Sequence, residues 1–408
     1  MNASLARAAH PAGNETIRIG LVGCGGRGTG AASNALAGDK NVILTAMGDV
    51  FEDQMQRSLT ALRNEQPEKV KVEPDHCHIG LDAYKRVIES GVDVVLLATP
   101  PGFRPQHLAA AIAADKHVFC EKPMATDAPG VRSVMATAAA AKQKKLALVA
   151  GFCWRYDFAR RALFQQLHDG ALGELRAIYA TYYTGPVKPM APPEARPASA
   201  TDLEWQLRNW YNFVWLSGDG LVEQAVHSVD KIAWAMKDVP PASAVAVGGR
   251  QIPNHEGNIF DHFEVNYEWA DGTRAFMGCR QQSGCYNQNA DYLIGSKASA
   301  TIGVRPGAAV EISGETKWRY RGATNNMYQT EHDELFASIR SGNPNNDGVW
   351  MSTSTLMAIM GRMAAYTGQQ ITWDKALNSQ EKLVPSPMDW KMPLPIAPMA
   401  QPGRTQFA

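Results

Sequence analysis

The chain has 408 residues, of which 40 are basic and 40 acidic, so its formal charge is zero; 45% of residues are hydrophobic and six are cysteine. That length favours two domains over a single core. The charge balance excludes a basic stripe for nucleic acid or a polybasic segment for lipid headgroups, and no apolar run is long enough to span a bilayer. The cysteines (24, 77, 120, 153, 279 and 285) lack paired spacing, which argues against a disulfide framework.

Residues 1–16 open the chain. Ala6-Arg7-Ala8 has the small-x-small pattern of a signal-peptide cleavage site, without the apolar and charged regions that should precede it. The expectation is a disordered start or the remnant of a removed export signal: cytoplasmic as the sequence stands, periplasmic if a signal has been lost.

Ile17 to Val22 then reads as a short buried strand, followed by glycines at 23, 25 and 28 and a helix of small residues from Thr29 to Ala37. Strand, G-x-G-x-x-G, helix is the context of a dinucleotide fingerprint. Gly23 permits the tight turn, Gly25 lets backbone approach a pyrophosphate, and Gly28 lets the helix lie close to the strand; Gly26 and Arg27 complete the loop. A second strand, Val42 to Met47, ends in Gly48-Asp49, and Asp49 lies 21 residues after Gly28. An acid there can accept hydrogen bonds from both ribose hydroxyls and repels a 2′-phosphate, so NAD is favoured over NADP.

Helical patterns at Glu52–Asn64, Leu81–Ser90, Pro105–Asp115 and Ala128–Lys142 alternate with apolar strands at Val92–Thr99, His117–Cys120 and Leu146–Ala150. This alternation predicts an α/β fold with a doubly wound parallel sheet, an NAD-binding Rossmann domain over 17–150. Asp75-His76-Cys77-His78 looks briefly like a metal cluster. Adjacent residues cannot all converge on one ion and no partner pair has zinc spacing, so the reading is structural and no metal is expected.

From Gly151 the pattern changes. A helix at Arg160–Asp169 precedes strands at Glu174–Thr184, Ala242–Gly249, Phe260–Trp269, Thr273–Arg280, Ala290–Gly295 and Ala298–Gly303. Consecutive strands of this kind predict a C-terminal α+β domain with an open, largely antiparallel sheet over 151–384, for substrate binding and oligomerisation. Pro186–Ala200 is a long loop expected to form a rim or lid. Val222–Met236 reads as one buried helix, and Glu331–Ser341 and Trp350–Thr367 as late helices. Residues 385–408, rich in Pro and Met, lack periodicity and are expected to form an arm laid along a neighbour.

In a doubly wound sheet ligands gather outside the carboxyl ends of the strands. Three such ends matter: the glycine turn, Ala98-Thr99-Pro100-Pro101, and Glu121-Lys122-Pro123. Lys122 is thereby expected beside the cofactor, where its charge favours the alkoxide that develops as hydride leaves carbon.

The fingerprint, Ala98-Thr99-Pro100 with His107 downstream, and Glu121-Lys122-Pro123 together resemble the Gfo/Idh/MocA family of NAD(P)-dependent oxidoreductases. Gly218-Asp219-Gly220-Leu221-Val222-Glu223-Gln224-Ala225-Val226-His227-Ser228-Val229-Asp230 is similar to that family's G-G-x-L-x-D-x-G-x-H-x-x-D helix, and Tyr328 with Glu331-His332 to its late Y-x-x-E-H helix. The resemblance implies a cofactor set of Gly23, Gly25, Gly26, Arg27, Gly28, Asp49, Thr99, Pro100, His107, Glu121, Lys122 and Arg155. It makes Lys122 the residue that orients the reacting hydroxyl, before a candidate cis peptide to Pro123. It makes His227 the general base, a role that suits an imidazole. The family's aspartate is Glu223 here and its glycine is Ala225. On one helix Glu223 and His227 share a face, so the carboxylate reaches the same pocket, shifted by one methylene.

Trp154-Arg155-Tyr156 occupies the place of a family segment near nicotinamide and substrate. Arg155 and Tyr156 are therefore either contacts or packing residues. Arg208-Asn209-Trp210-Tyr211-Asn212 is unusually aromatic; Trp210 and Tyr211 suit the C–H faces of a sugar, and equally a core cluster. The resemblance further implies a homodimer or homotetramer. The expected activity is hydride transfer between NAD and a secondary hydroxyl of a sugar, glycoside or polyol. Two alternatives stand beside it. One is an NAD-dependent glycoside hydrolase working by transient C3 oxidation and elimination. The other is a non-catalytic dinucleotide-binding protein, in which Lys122 and His227 would be idle.

Overall fold

Six short apolar runs pair in parallel to build the first sheet: β1 (Ile17–Val22), β2 (Val42–Asp49), β3 (Cys77–Ile79), β4 (Val94–Leu97), β5 (His117–Cys120) and β6 (Leu148–Ala150), in the order β3-β2-β1-β4-β5-β6. The structure is a computed structural model that describes residues 15–253, 255–303 and 310–408; the expected export remnant or disordered start falls almost wholly outside them. Every residue of β4, β5 and β6 is buried, as parallel strands covered on both faces require. The helices of this region are α1 (Gly26–Gly38), α2 (Glu52–Glu65), α3 (Ala83–Glu89), α4 (Arg104–Ala113) and α5 (Ala128–Gln143). Strand order reverses between β1 and β4, which opens a crevice at their carboxyl ends. The doubly wound expectation holds.

The chain forms two compact units that are not linear halves. The first runs to Met124 and takes up Ser133–Asp157 and Asn325–Met351; the second holds Ala125–Arg132, Phe158–Thr324 and Ser352–Ala408. Burial explains why the first unit recruits a late segment. The helix Met327–Arg340 sends Leu335, Phe336 and Ile339 into the same core as Ile17, Ile19 and Leu21. It packs along α1, where Asn34 Nδ2 donates to Gln329 at 3.0 Å and a Cβ on Gly38 would already stand 3.1 Å from the Phe336 ring. An Arg340–Asp39 ion pair at 3.0 Å closes this contact.

The second unit is built on nine strands. They are β7 (Leu175–Thr184), β8 (Ser243–Gly249), β9 (His262–Glu268), β10 (Arg274–Gln281), β11 (Gln288–Gly295), β12 (Ala298–Gly303), β13 (Val310–Gly314), β14 (Trp318–Arg319) and β15 (Ile371–Thr372). Their order is β14-β13-β12-β11-β7-β10-β9-β8-β15, antiparallel except for β7 beside β10. Helices in chain order are α6 (Phe158–His168), α7 (Asp202–Arg208), α8 (Val214–Ser217), α9 (Gly220–Glu223), α10 (Val226–Ala235), α11 (the Met327–Arg340 helix of the first unit), α12 (Gly348–Thr367) and α13 (Trp373–Asn378). Ala180, Val265 and Met277 are fully buried on one face of the sheet, against which α10 packs. On the other face Val245, Asn266, Phe276, Tyr179 and Tyr292 line up across five strands. There Val245 is 43% exposed and Tyr179 36%, with Val247 beside them at 68%.

Two expectations are corrected. Val222–Met236 is not one helix: α9 ends at Glu223, and α10 begins at Val226. The amides of both Gln224 and Ala225 turn back to the Gly220 carbonyl, which breaks the helical register between them. Glu223 and His227 therefore belong to two successive helices and not to one continuous helix. Nor does the tail after 385 extend away from its own chain. Gln206 Nε2 donates to the Leu394 carbonyl at 2.7 Å, Asn258 Nδ2 to that of Ala397 at 3.1 Å, and the Gly403 amide to that of Thr367 at 2.9 Å.

Candidate active site

The glycine turn follows from local sterics. Gly23 has φ +93°, and a Cβ there would meet the Ala98–Thr99 backbone at 2.7 Å. A Cβ on Gly28 would stand 1.9 Å from the Gly23 carbonyl oxygen. Around Gly25 and Gly26 the corresponding space is empty to 4 Å. The first turn of α1 carries neither a capping side chain nor an acid. Asp49, at the end of β2, accepts from the Cys24 amide at 2.6 Å and from the Phe51 amide at 2.9 Å, with the Val50 amide as a third donor. Burial nevertheless raises its pKa.

Arg27 joins this turn to the end of β5 and to α11. Its Nε donates to Glu121 Oε1 at 2.5 Å, its Nη2 lies 3.7 Å from Glu331 Oε1, and its guanidinium sits 4.8 Å from the Tyr328 ring centroid. Glu331 is fully buried. Burial first, then the nearby Glu121 charge, hold its pKa well above the usual carboxylate range, with Arg27 pulling the other way. An acid whose pKa is raised by folding favours the native state at low pH and loses that advantage as pH climbs above the unfolded value. Glu331→Gln is accordingly expected to melt above the wild type at pH about 8, by roughly 2–4 °C for each kcal/mol recovered. The gap should narrow toward pH about 5. Equal melting curves at both pH values would remove the argument.

At the neighbouring strand ends, Thr99 Oγ1 lies 3.3 Å from His107 Nδ1, and Pro100 opens the turn that leads to α4. His107 stacks on Tyr84 at 4.0 Å, and burial, then Arg104, lower its pKa to about 3, so it is a neutral partner for Thr99. Lys122 is 8% exposed at the carboxyl end of β5, and its peptide bond to Pro123 is cis. Arg104 Nη1 fixes the next turn by donating to the Pro123 carbonyl at 2.6 Å. Arg155 lies 4.1 Å from the Trp350 ring centroid. Of the two readings given for Tyr156, contact or packing, its burial favours packing. It is 4% exposed, packs in the core and donates its hydroxyl to Asp347 at 2.9 Å, so it is a packing residue of the first unit.

In the second unit α10 is held rigidly. Lys231 pairs with Asp291 on β11, both 2% exposed, and Ser354 Oγ donates to Asp230 at 2.7 Å. His227, 9% exposed, stands at the start of this anchored helix, with Glu223, 6% exposed, one turn before it. Tyr211 is buried with its hydroxyl bonded to Gln281, and it meets Trp210 edge to face at 5.6 Å. The sequence reading missed Lys188. Its ammonium sits 5.2 Å from the Trp210 ring centroid and is attracted by the charge of Glu223. Asn212 and Asn209 tie the 185–191 segment down by bonds to the Lys188 carbonyl and the Ala191 amide. No motif marks such a lysine. Likewise nothing local in the sequence reveals that Glu331 faces Arg27.

Residues 17–152 match the model of the oxidoreductase family with an NAD-binding Rossmann fold, Gfo/Idh/MocA. Those residues, a third of the chain, are matched as that family's NAD-binding domain. Inositol 2-dehydrogenase of Serratia proteamaculans is 24% identical over 82% of this chain and 89% of its own length. Inositol 2-dehydrogenase 4 of Saccharopolyspora erythraea is 24% identical over 87% and 94%. Among solved structures, the WlbA dehydrogenase of Bordetella pertussis, in complex with NADH and UDP-GlcNAcA, superposes with a TM-score of 0.66 at 18% identity. It matches 88% of this chain and 99% of its own.

The cofactor is NAD, as the matched NAD-binding Rossmann domain implies, and the residues present suit it. The empty space over Gly25 and Gly26 leaves backbone accessible to a pyrophosphate at a helix N-terminus. Asp49 stands at the end of β2, where a carboxylate can accept from the ribose hydroxyls. The Arg27–Glu121–Glu331 cluster ties the glycine turn to the strand end that bears Lys122.

Proposed function

We propose that the protein is an NAD-dependent dehydrogenase acting on a secondary hydroxyl of a sugar or polyol. NAD, when bound, supplies a hydride acceptor at nicotinamide C4. In this reading Lys122 donates a hydrogen bond to the reacting oxygen and favours its anionic form. His227 takes the hydroxyl proton as general base, and Glu223 binds the sugar or orients that oxygen. Lys188 and Trp210 contribute to sugar recognition.

The observation that carries the reading is Lys122 at the carboxyl end of β5, in the same unit as an open glycine turn suited to NAD. Relatives named as inositol 2-dehydrogenases along more than four-fifths of the chain support a polyol or sugar. They lend nothing specific to the hydrolytic alternative.

The test is incubation with NAD and a panel of myo-inositol, scyllo-inositol, glucose, methyl glucoside and nitrophenyl glucoside. Rising NADH absorbance with intact substrate is the expected result; nitrophenol release without NADH would replace this reading with hydrolysis. We also propose self-association through the half-exposed Val245–Tyr292 row, since such an apolar face across five strands is unusual on a monomer. Sedimentation of a Val247→Lys variant as a smaller species than wild type is the outcome expected.

A further inference from the structure

Among the described residues outside glycine, five have positive φ. Asp115, Lys145, Lys237 and Asp238 have φ of 55–60°, the ordinary left-handed region, at exposed or half-exposed helix ends. Asp219 differs: it is fully buried, with φ 84° and ψ 164°. That region is almost restricted to glycine and costs an L-residue on the order of 1–3 kcal/mol. Glycine would adopt the same backbone without strain, so a carboxylate kept here has to offset the cost through its bonds.

Every polar atom of Asp219 is engaged. Its amide donates to Ser217 Oγ at 3.0 Å. Its carbonyl accepts from the amides of Val222 at 3.0 Å and Glu223 at 2.8 Å, which are the first bonds of α9. Oδ1 accepts from the Gly220 amide at 2.5 Å. Oδ2 accepts from the Phe260 amide at 2.8 Å and from the Tyr366 hydroxyl on α12. Behind it, buried Arg362 donates to the carbonyls of Gly218 at 3.2 Å and Thr126 at 2.6 Å. Ahead of it, Gly220 has no room to turn, since a Cβ there would press on the Gln281 amide at 3.1 Å.

We propose that Asp219 is a positioning residue that clamps the Glu223–His227 turn between α12 and the strand lead-in at Phe260, fixing where those two side chains point. The clamp rests on the reading of Glu223 and His227 as reacting groups. Its physical core is that one strained carboxylate sets the start of α9, and with it the carboxylate of Glu223 one turn later. Displacing a catalytic group by about 1 Å costs on the order of a hundredfold in rate.

The test uses Asp219→Gly, which relieves the strain while deleting the clamp, and Tyr366→Phe, which leaves Asp219 in place and removes one donor. Hydrogen–deuterium exchange of the peptide 219–228 should quicken in both, more in Asp219→Gly, with the melting temperature of each close to wild type. On the polyol that wild type oxidises best, kcat should fall by about ten- to a hundredfold in Asp219→Gly, and less in Tyr366→Phe, with KM moving little. A purely structural cap predicts the reverse: altered melting with kcat preserved. Wild-type exchange rates at 219–228 in both variants would overturn the proposal. If wild type oxidised nothing in the panel, the functional reading would fail, and the exchange arm would still decide whether the clamp exists.

Discussion

Replacing His227 by alanine is expected to lower kcat by roughly 10²- to 10⁴-fold, the range over which a positioned general base contributes. The substitution should be clean. His227 opens a helix pinned by the Lys231–Asp291 pair and the Ser354–Asp230 bond, neither of which involves the imidazole. NAD binding, followed by NADH fluorescence, should be unchanged, because the glycine turn belongs to the other unit. A loss of less than about threefold in kcat would leave no general-base role for this residue.

The second large effect separates binding from folding within one turn. Gly28→Ala puts a methyl group 1.9 Å from the Gly23 carbonyl oxygen and 3.2 Å from Ala98 Cβ, so α1 has to back away from β1. Overpacking of this kind typically costs about 1–3 kcal/mol, and a fall in melting temperature should report it. Gly25→Ala is different. Nothing lies within 4 Å of the added methyl group and φ is −69°, so the protein should fold and melt as wild type does. The methyl group fills the space where backbone meets pyrophosphate, and NAD affinity should drop by more than about tenfold, ~1.4 kcal/mol. Calorimetric titration with NAD reads this directly. Undiminished affinity in Gly25→Ala would show that the dinucleotide does not lie over this turn.

What could be read in the sequence was what local pattern encodes. The run Val94–Leu97 is continuously apolar because both faces of its sheet are covered, Ile17–Val22 is broken by a charge only at exposed Arg18, and Gly23 and Gly28 mark backbone that a Cβ would obstruct. The cis bond before Pro123 was foreshadowed by its motif; the one before Pro387 was not. What escaped depends on distant partners. Strands β14 and β15 are two-residue edge segments whose pairing is decided by neighbours, not by their own periodicity. The break at Gln224–Ala225 has no glycine or proline to announce it. Tyr156 stayed open between contact and packing because nothing before residue 347 discloses the aspartate that takes its hydroxyl.

The recruitment of α11 bears on how this molecule comes into being. A ribosome that has finished Ala150 has already emitted all six strands of the parallel sheet, yet the apolar residues that complete their core, Leu335, Phe336 and Ile339, are almost two hundred codons away. Until those are translated, the flank of α1 along which α11 packs stays uncovered, and the nascent nucleotide-binding half is an unfinished surface in need of shielding. A gene fragment cut at the fold's apparent linear boundary would inherit that defect permanently.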